Sequence, residues 1–373
     1  MQPEQTAKAP FFSGTRLQWA IALASLALIA LLMAIGIRLS EGFHRWYTDS
    51  LSTLQVQGAQ ALFNGIRYGC ILLLGAIGLS LTYKILNFGN FAHGDTMAVG
   101  VAVAISLNEL ARGMLISVAP EWDIGLREAY GLGMAFLGAV LITPWVAVIV
   151  DRLLYRRFRK AKPVVLIIAS FGMALIIRSL VQIIWGTQNQ GFGQRIQPST
   201  PYSLGYVGES EVIVRISNQD LIIIGAAIVL TLLLHFFLTY SKLGKAMRAM
   251  ADNADLARVT GIDTERVIFW TWWIGGVLAA AGGFFLCLAF GPFRLFNVGP
   301  QILLPLFAAT VLGGIGSPYG AMVGGLMIGL AQNVLVTFIP FEYNPTAWQP
   351  AVAFALLIIL LLVRPQGIFG GGK

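Results

Sequence analysis

The sequence predicts an all-α polytopic membrane protein with about ten transmembrane helices and both termini in the cytoplasm. Three observations carry that expectation: composition, the spacing of apolar runs, and the sidedness of lysine and arginine. Of 373 residues, 57% are hydrophobic and 11% charged, against roughly a quarter charged in a soluble domain, so water is not the main solvent of this chain. Ten apolar stretches occur at 17–37, 62–83, 88–108, 131–150, 163–186, 220–240, 267–290, 301–315, 319–339 and 346–363. All but 301–315 approach the ~20 residues that cross a bilayer as a helix. Threaded from a cytoplasmic N-terminus, they leave 16 basic residues in inside loops and seven outside, with Arg67 and Arg178 within helices. That asymmetry fixes the orientation.

Taken in order, the first stretch has an apolar core over 20–37 that is long for a signal peptide and lacks a small-residue cleavage site, so it is expected as a retained helix. Between the second and third stretches stands "LNFGNFAHGDTMAVG", 86–100, which puts Asn87, Asn90, His93 and Asp95 beside Phe88 and Phe91 where lipid is expected. Gly89 and Gly94 permit a break in the helix, and the polar side chains can bind the freed backbone groups. Such a segment is either a tight capped hairpin or a broken helix lining a solute path, since irregular backbone at membrane depth needs protein or water as its partner. His93 and Asp95 alone cannot complete a metal site.

The segment 151–162 supplies six basic residues and marks the cytoplasmic side. Arg178, near the middle of the fifth stretch, reads as a structural ion pair, a contact for a substrate carboxylate, or a gate. Next comes "SKLGKAMRAMADNADLARVTGID", 241–263, compatible with one or two short helices, with Asp252 or Asn253 as N-cap and Gly261 as stop. Its apolar residues, Met250, Ala251, Ala254 and Ala257 among them, are small or flexible; they suit docking onto another protein, and the basic residues equally suit anionic lipid headgroups. Trp270, Trp272 and Trp273 follow as an interfacial aromatic belt. In "VLGGIGSPYGAMVGGLMIGL", 311–330, the pairs Gly320/Gly324 and Gly325/Gly329 form helix-packing faces, as do Gly275, Ala279 and Gly283 earlier. The hairpins 62–108 and 301–339 echo each other weakly.

The longest polar loops, 38–61, 109–130, 187–219 and 241–266, are too short to bury cores of their own. Residues 1–373 are therefore expected as a single membrane domain, with 1–61 an N-terminal extension carrying the first helix and 241–266 a cytoplasmic loop. Cys70 and Cys287 lie in apolar runs and read as small hydrophobes. No phosphate-binding G-x-x-x-x-G-K-[ST] occurs, Gly314-x-Gly316 has the wrong context for a dinucleotide site, and no nucleophile, base and orienting group converge. An enzyme and a nucleic-acid binder are thereby disfavoured, and no cofactor is expected. The scarcity of intramembrane charge suits a neutral or zwitterionic solute, with Asn87, Asn90 and the backbone at Gly313, Gly314 and Gly316 as candidate lining. An ion-coupled carrier titrating on Asp95 or His93, and a passive channel for urea or amides, are the competing readings.

Three ordered stretches, "LTYKILNFGNFAHGD", "RAMADNADLARVTGID" and "ATVLGGIGSPYGAMVGG", resemble signatures of the permease subunits of branched-chain amino acid ABC importers. The likeness runs over about 71–363. Permeases for urea and short amides share the framework; the extension 1–61 and the loop 187–219 are departures. The resemblance implies an ABC importer permease fold in the bacterial inner membrane. It implies ATPase subunits, a second homologous permease and a periplasmic binding protein as partners. It also implies that 241–263 is the coupling segment seated on an ATPase, with Met250, Ala251, Asp252, Asn253, Ala254, Ala257 and Gly261 at its centre. The helices around 62–108, 163–186 and 301–339 would then line an alternating-access path.

Overall fold

A computed structural model describes residues 41–118, 121–193, 199–207, 210–339, 345–364 and 366–369. The first expected helix, 17–37, lies outside them. The other nine apolar stretches coincide with helices: α1 Glu41–Leu86, α2 His93–Val118, α3 Ile124–Val150, α4 Pro163–Trp185, α5 Asn218–Tyr240, α8 Thr264–Phe290, α9 Val298–Gly313, α10 Pro318–Val336 and α11 Gln349–Val363. Two short helices, α6 Lys242–Asp252 and α7 Ala254–Val259, join α5 to α8. Among the described residues eight helices are long and apolar enough to cross a membrane, and α11 is shorter. The protein is a multi-pass helical membrane protein.

Two expectations need correction. Within the polar stretch 38–61, residues 41–61 are not a loop, because α1 is one helix of 46 residues from Glu41. The segment contains no proline, so nothing stops the apolar helix from extending its ladder through a polar stretch. The region 187–219 is also partly ordered as a hairpin: β2 Thr200–Val207 pairs antiparallel with β3 Ser210–Ile216, with a bulge between Ser203 and Gly205. Its second strand, "SEVIVRI", alternates as a half-buried strand should, with Val212 and Val214 inside. The short β1 Asn189–Gln190 pairs with β4 Phe293–Arg294, which ties the segments after α4 and α8 together.

Polar contacts define two ends. At the basic end Arg156 and Arg159 reach Glu265; at the other, the Arg215 amide donates to Gln60 and Asn108 donates to the Phe192 carbonyl. Near that second end Arg67 of α1 binds Asp220 of α5 at 2.7 Å. Asp220 is held in a capping box with Ser217.

Between the ends, α1 and α8 are central, with 83% and 72% of their apolar windows buried, whereas α4 and α5 are peripheral at 28% and 22%. The packing is two-fold in character. α1 lies along α10 and α8 along α3; α2 packs on α3 and α9 on α10; α2 touches α8 and α9 touches α1. Exchanging α1, α2, α3 for α8, α9, α10 maps this pattern onto itself, and α1 and α8 run in opposite directions. The protein therefore contains an inverted repeat, the arrangement many transporters use. The echo expected between 62–108 and 301–339 joined the wrong partners.

The glycine stripes explain how close the packing is. On α10, Gly320 and Gly324 lie against Gly313 and Ala309 of α9, while Gly325 and Gly329 lie against Leu73 and Gly69 of α1. A Cβ at any of the four would overlap backbone, so each pair lets one neighbour approach without a hydrophobic driving force.

Candidate functional site

Each half of the repeat breaks at one place. α1 ends at Leu86, and Asn87 turns the chain with φ 57°, a left-handed conformation asparagine tolerates. The chain then runs back into the protein. His93, the first residue of α2, lies level with Gly75, eleven residues before Leu86 and about 16 Å up α1. The freed groups are met one by one, as burial demands. The Asn90 side-chain oxygen accepts from the Ala92 amide at 3.1 Å and from the Tyr155 hydroxyl at 3.0 Å. The Phe91 amide donates to Ser170 Oγ on α4 at 3.1 Å. His93 Nε2 lies 2.9 Å from the Gly75 carbonyl, which requires that nitrogen to carry the proton. Gly78 makes room for the ring, since a Cβ there would stand 2.9 Å from His93 Cε1.

Asp95, 1% exposed, meets Arg178 of α4 at two points, Nε to Oδ1 at 3.2 Å and Nη2 to Oδ2 at 3.3 Å. The second break supplies the other wall. After α8, residues 291–297 return to start α9 at Val298, and the Asp95 carboxylate packs on Gly299, where any side chain would collide with it. A Cβ on Gly94 would in turn sit 2.8 Å from the Gly299 carbonyl. Two helix N-termini thus abut in the interior, with a carboxylate beside them as their dipoles favour.

On the basic end, Ser241 caps α6 through the Gly244 amide at 2.8 Å. The Asn253 side chain caps α7 through the amides of Asp255 and Leu256 at 3.1 and 2.9 Å. Gly261, φ 86°, closes α7 with the Ile262 amide donating back to Ala257 at 3.0 Å. Met247, Met250 and Ala257 are buried, and Ala251 is half-buried. Asp252, Asn253, Ala254, Leu256, Val259 and Gly261 are exposed.

A family model described as "Branched-chain amino acid transport system / permease component" matches residues 61–361. The chain belongs to this family. The permease is 33% identical over 312 residues to the high-affinity branched-chain amino acid transport system permease protein LivH of Salmonella typhimurium, covering 83% of this chain and 95% of that one. It is 30% identical over 314 residues to BraD of Pseudomonas aeruginosa, with the same two shares. A probable LivH of Methanocaldococcus jannaschii is 26% identical over 329 residues, 84% of this chain and 93% of that one.

In the permease, the residues singled out from sequence fall into three groups. Asn90, His93, Asp95 and Arg178 come together around the first break, with Phe88 buried beside Tyr155 and Phe91 against Phe307. Gly313, Gly314 and Gly316 lie at the α9–α10 turn, where part of the backbone is already engaged. The Gly313 carbonyl accepts from the Phe369 amide at 3.2 Å and the Leu312 carbonyl from Ile368 at 2.8 Å, so the C-terminal tail closes α9. The space left between Gly89, Gly316 and α9 is about 30 Å³, enough for one water. In the 241–263 segment, Met250 and Ala257 face inward, so the exposed apolar surface comes from Leu256 and Val259 instead. Burying an unbranched Met under an amphipathic helix wins over presenting it.

Sequence reasoning missed two features. One is the second break, whose signal was present: "FGNFAHG", 88–94, and "FRLFNVG", 293–299, share F-x-x-F-x-x-G and end at the two abutting glycines. The other is Tyr155, hidden in a segment read only for its charge.

Proposed function

We propose that this chain is a membrane-spanning subunit of an ATP-driven importer for branched-chain amino acids in a bacterial inner membrane. It works with a second homologous permease, with ATPase subunits seated on 241–263, and with a periplasmic binding protein that delivers the solute. Residues 1–373 act as one permease domain, and the basic end faces the cytoplasm.

The observation that carries this reading is family membership over 61–361, and the geometry supports it. Two helices broken at the same depth and related by an inverted repeat are a fitting device for alternating access. Asp95 and His93 each have a partner within the fold, which favours a structural role over the titrating role an ion-coupled carrier requires. A neutral or zwitterionic solute needs no fixed counter-charge, in keeping with an interior whose buried charges are paired. Branched-chain amino acids are the cargo named for the permease's relatives.

The test is purification of the tagged full chain from native membranes in mild detergent, then reconstitution with the co-purified subunits. Recovery of an ATPase and a second permease, with leucine uptake that needs ATP and survives collapse of ion gradients, is expected. Flux by this chain alone without ATP would overturn the reading. Uptake of urea or a short amide instead of leucine would keep the machine and replace its cargo.

A further inference from the structure

We propose that Tyr155 couples the cytoplasmic segment to the broken helix, through a relay running Glu265, Arg159, Asp151, Tyr155, Asn90. The inference rests on the ATP-driven reading above.

The relay begins where the 241–263 segment enters α8. Asp263 caps α8 by accepting from the Arg266 amide at 3.1 Å, and Glu265 stands in the first turn. Arg159 bridges two carboxylates: one guanidinium nitrogen binds Glu265, the other Asp151 at 2.7 Å. Displacement of α7 and its exit therefore pulls on the end of α3.

That end is not an α-helix. Asp151–Tyr155 forms a π turn that continues α3 before a last α-helical turn at Arg156–Phe158. A π turn carries one residue more than the α ladder allows and is found disproportionately at functional positions. It also supplies what a coupling route needs, an element with two discrete arrangements. Passing the extra residue beyond Tyr155 rotates its side chain by about 100° around the helix. A cavity of about 360 Å³ lies beside the start of the turn, bordered by Asp151, Arg159 and Trp272, so the charged side chains of the relay have room to move.

Tyr155 itself is fully buried, and its hydroxyl donates to Asn90 at 3.0 Å. Its ring stacks on Trp272 at 5.1 Å and 8°, and tilts against Phe88 at 5.1 Å. Trp272 stands seven residues after Glu265, two turns along the same face of α8. Glu265, where the relay starts, and Trp272, on which Tyr155 stacks, thus share one rigid helix, and the relay's far end is the Asn90 side chain that holds the break open. Packing alone would be served by Phe at 155; the hydroxyl adds a bond to the one residue that also fixes the Ala92 amide.

The experiment uses the whole transporter in proteoliposomes, comparing wild type with Tyr155→Phe, which removes only the oxygen, and Glu265→Gln at the exposed end. Uptake and ATP hydrolysis are measured together. A third readout is labelling of Ile315→Cys, an exposed position that shares a small cavity with Gly89 of the break, with and without nucleotide; Cys70 and Cys287 are buried away from the reagent. Both variants are expected to assemble and hydrolyse ATP while solute carried per ATP falls about two- to tenfold, the worth of one hydrogen bond. The nucleotide-dependent change in labelling is expected to shrink with it, and the double variant to be no worse than the weaker single. An unchanged ratio in both variants, or uptake and hydrolysis falling in proportion, overturns the relay and leaves a packing role. A wild-type complex without ATP-dependent uptake fails at an earlier point and overturns the importer reading itself.

Discussion

Asp95 at the start of α2 and Arg178 in α4, 83 positions apart in sequence, form a two-point ion pair at 3.2 and 3.3 Å, with the carboxylate 1% exposed. A buried pair costs heavily in desolvation, and removing one partner costs more than the pair itself contributes, because an uncompensated charge remains. Asp95→Asn and Arg178→Gln are each expected to lower stability in detergent by about 3 kcal/mol, with Asp95→Asn the milder of the two because the guanidinium it leaves unpaired is 26% exposed, whereas Arg178→Gln strands a carboxylate that is 1% exposed. The double variant is expected to recover part of the loss. Thermal unfolding of the three proteins checks this; additive losses would mean the pair does not act as a unit.

The contact between Gly94 and Gly299 sets a steric condition. Gly299→Ala is expected to cost at least the ~1–3 kcal/mol of an overpacked core, since its Cβ meets the Asp95 carboxylate and neither helix start can retreat. Gly225→Ala in α5, where nothing lies within 4 Å, is expected to be neutral or mildly stabilising. Chromatographic monodispersity and melting temperature of the two variants separate these outcomes.

Much of the architecture was legible because lipid imposes a stringent rule: a spanning segment must be apolar and must satisfy its own backbone. Nine apolar stretches were therefore readable without any periodicity. The first break was legible for the converse reason, as Asn90, His93 and Asp95 are conspicuous among apolar residues. The second break carries a weaker flag, since Arg294 and Asn297 read as an ordinary loop between two spans; comparison of Phe293, Phe296 and Gly299 with 88–94 exposes it. The partner of Arg178 was illegible because ion pairing depends on how α2 and α4 pack, which no local pattern encodes. The inward turn of Met250 and Ala257 depends likewise on where the bundle lies relative to α6 and α7.

The C-terminal tail gives a third expectation. Its amides at Ile368 and Phe369 bond the carbonyls of Leu312 and Gly313 at 2.8 and 3.2 Å, and Gly367, φ 74°, turns the chain toward them. Deleting residues 366–373 exposes two acceptors at the end of α9, each worth about 1 kcal/mol when lost. A melting temperature a few degrees lower, with faster proteolysis near 314–317, is expected. An unchanged melting curve would show that water replaces the tail without cost.

The last expectation separates surface from support in the 241–263 segment. Leu256 and Val259, 61% and 85% exposed, are large apolar residues that the described residues leave uncovered, and Asn253, Ala254 and Gly261 stand beside them. If an ATPase seats there, exclusion of water from such residues supplies much of the attachment. Val259→Glu is expected to weaken ATPase recovery in pull-downs by at least tenfold, because an interface core tolerates an unpaired charge poorly. The melting temperature of the isolated permease is expected to stay constant, since α7 there presents that side chain to solvent. Met250→Ala should do the reverse: the truncation leaves a cavity under α6 and costs about 2–5 kcal/mol of stability, while the exposed face keeps its composition. Equal loss of ATPase binding in both variants, measured at a temperature where each permease remains folded, would mean that the docking surface is set by the buried side of the segment and not by its exposed one.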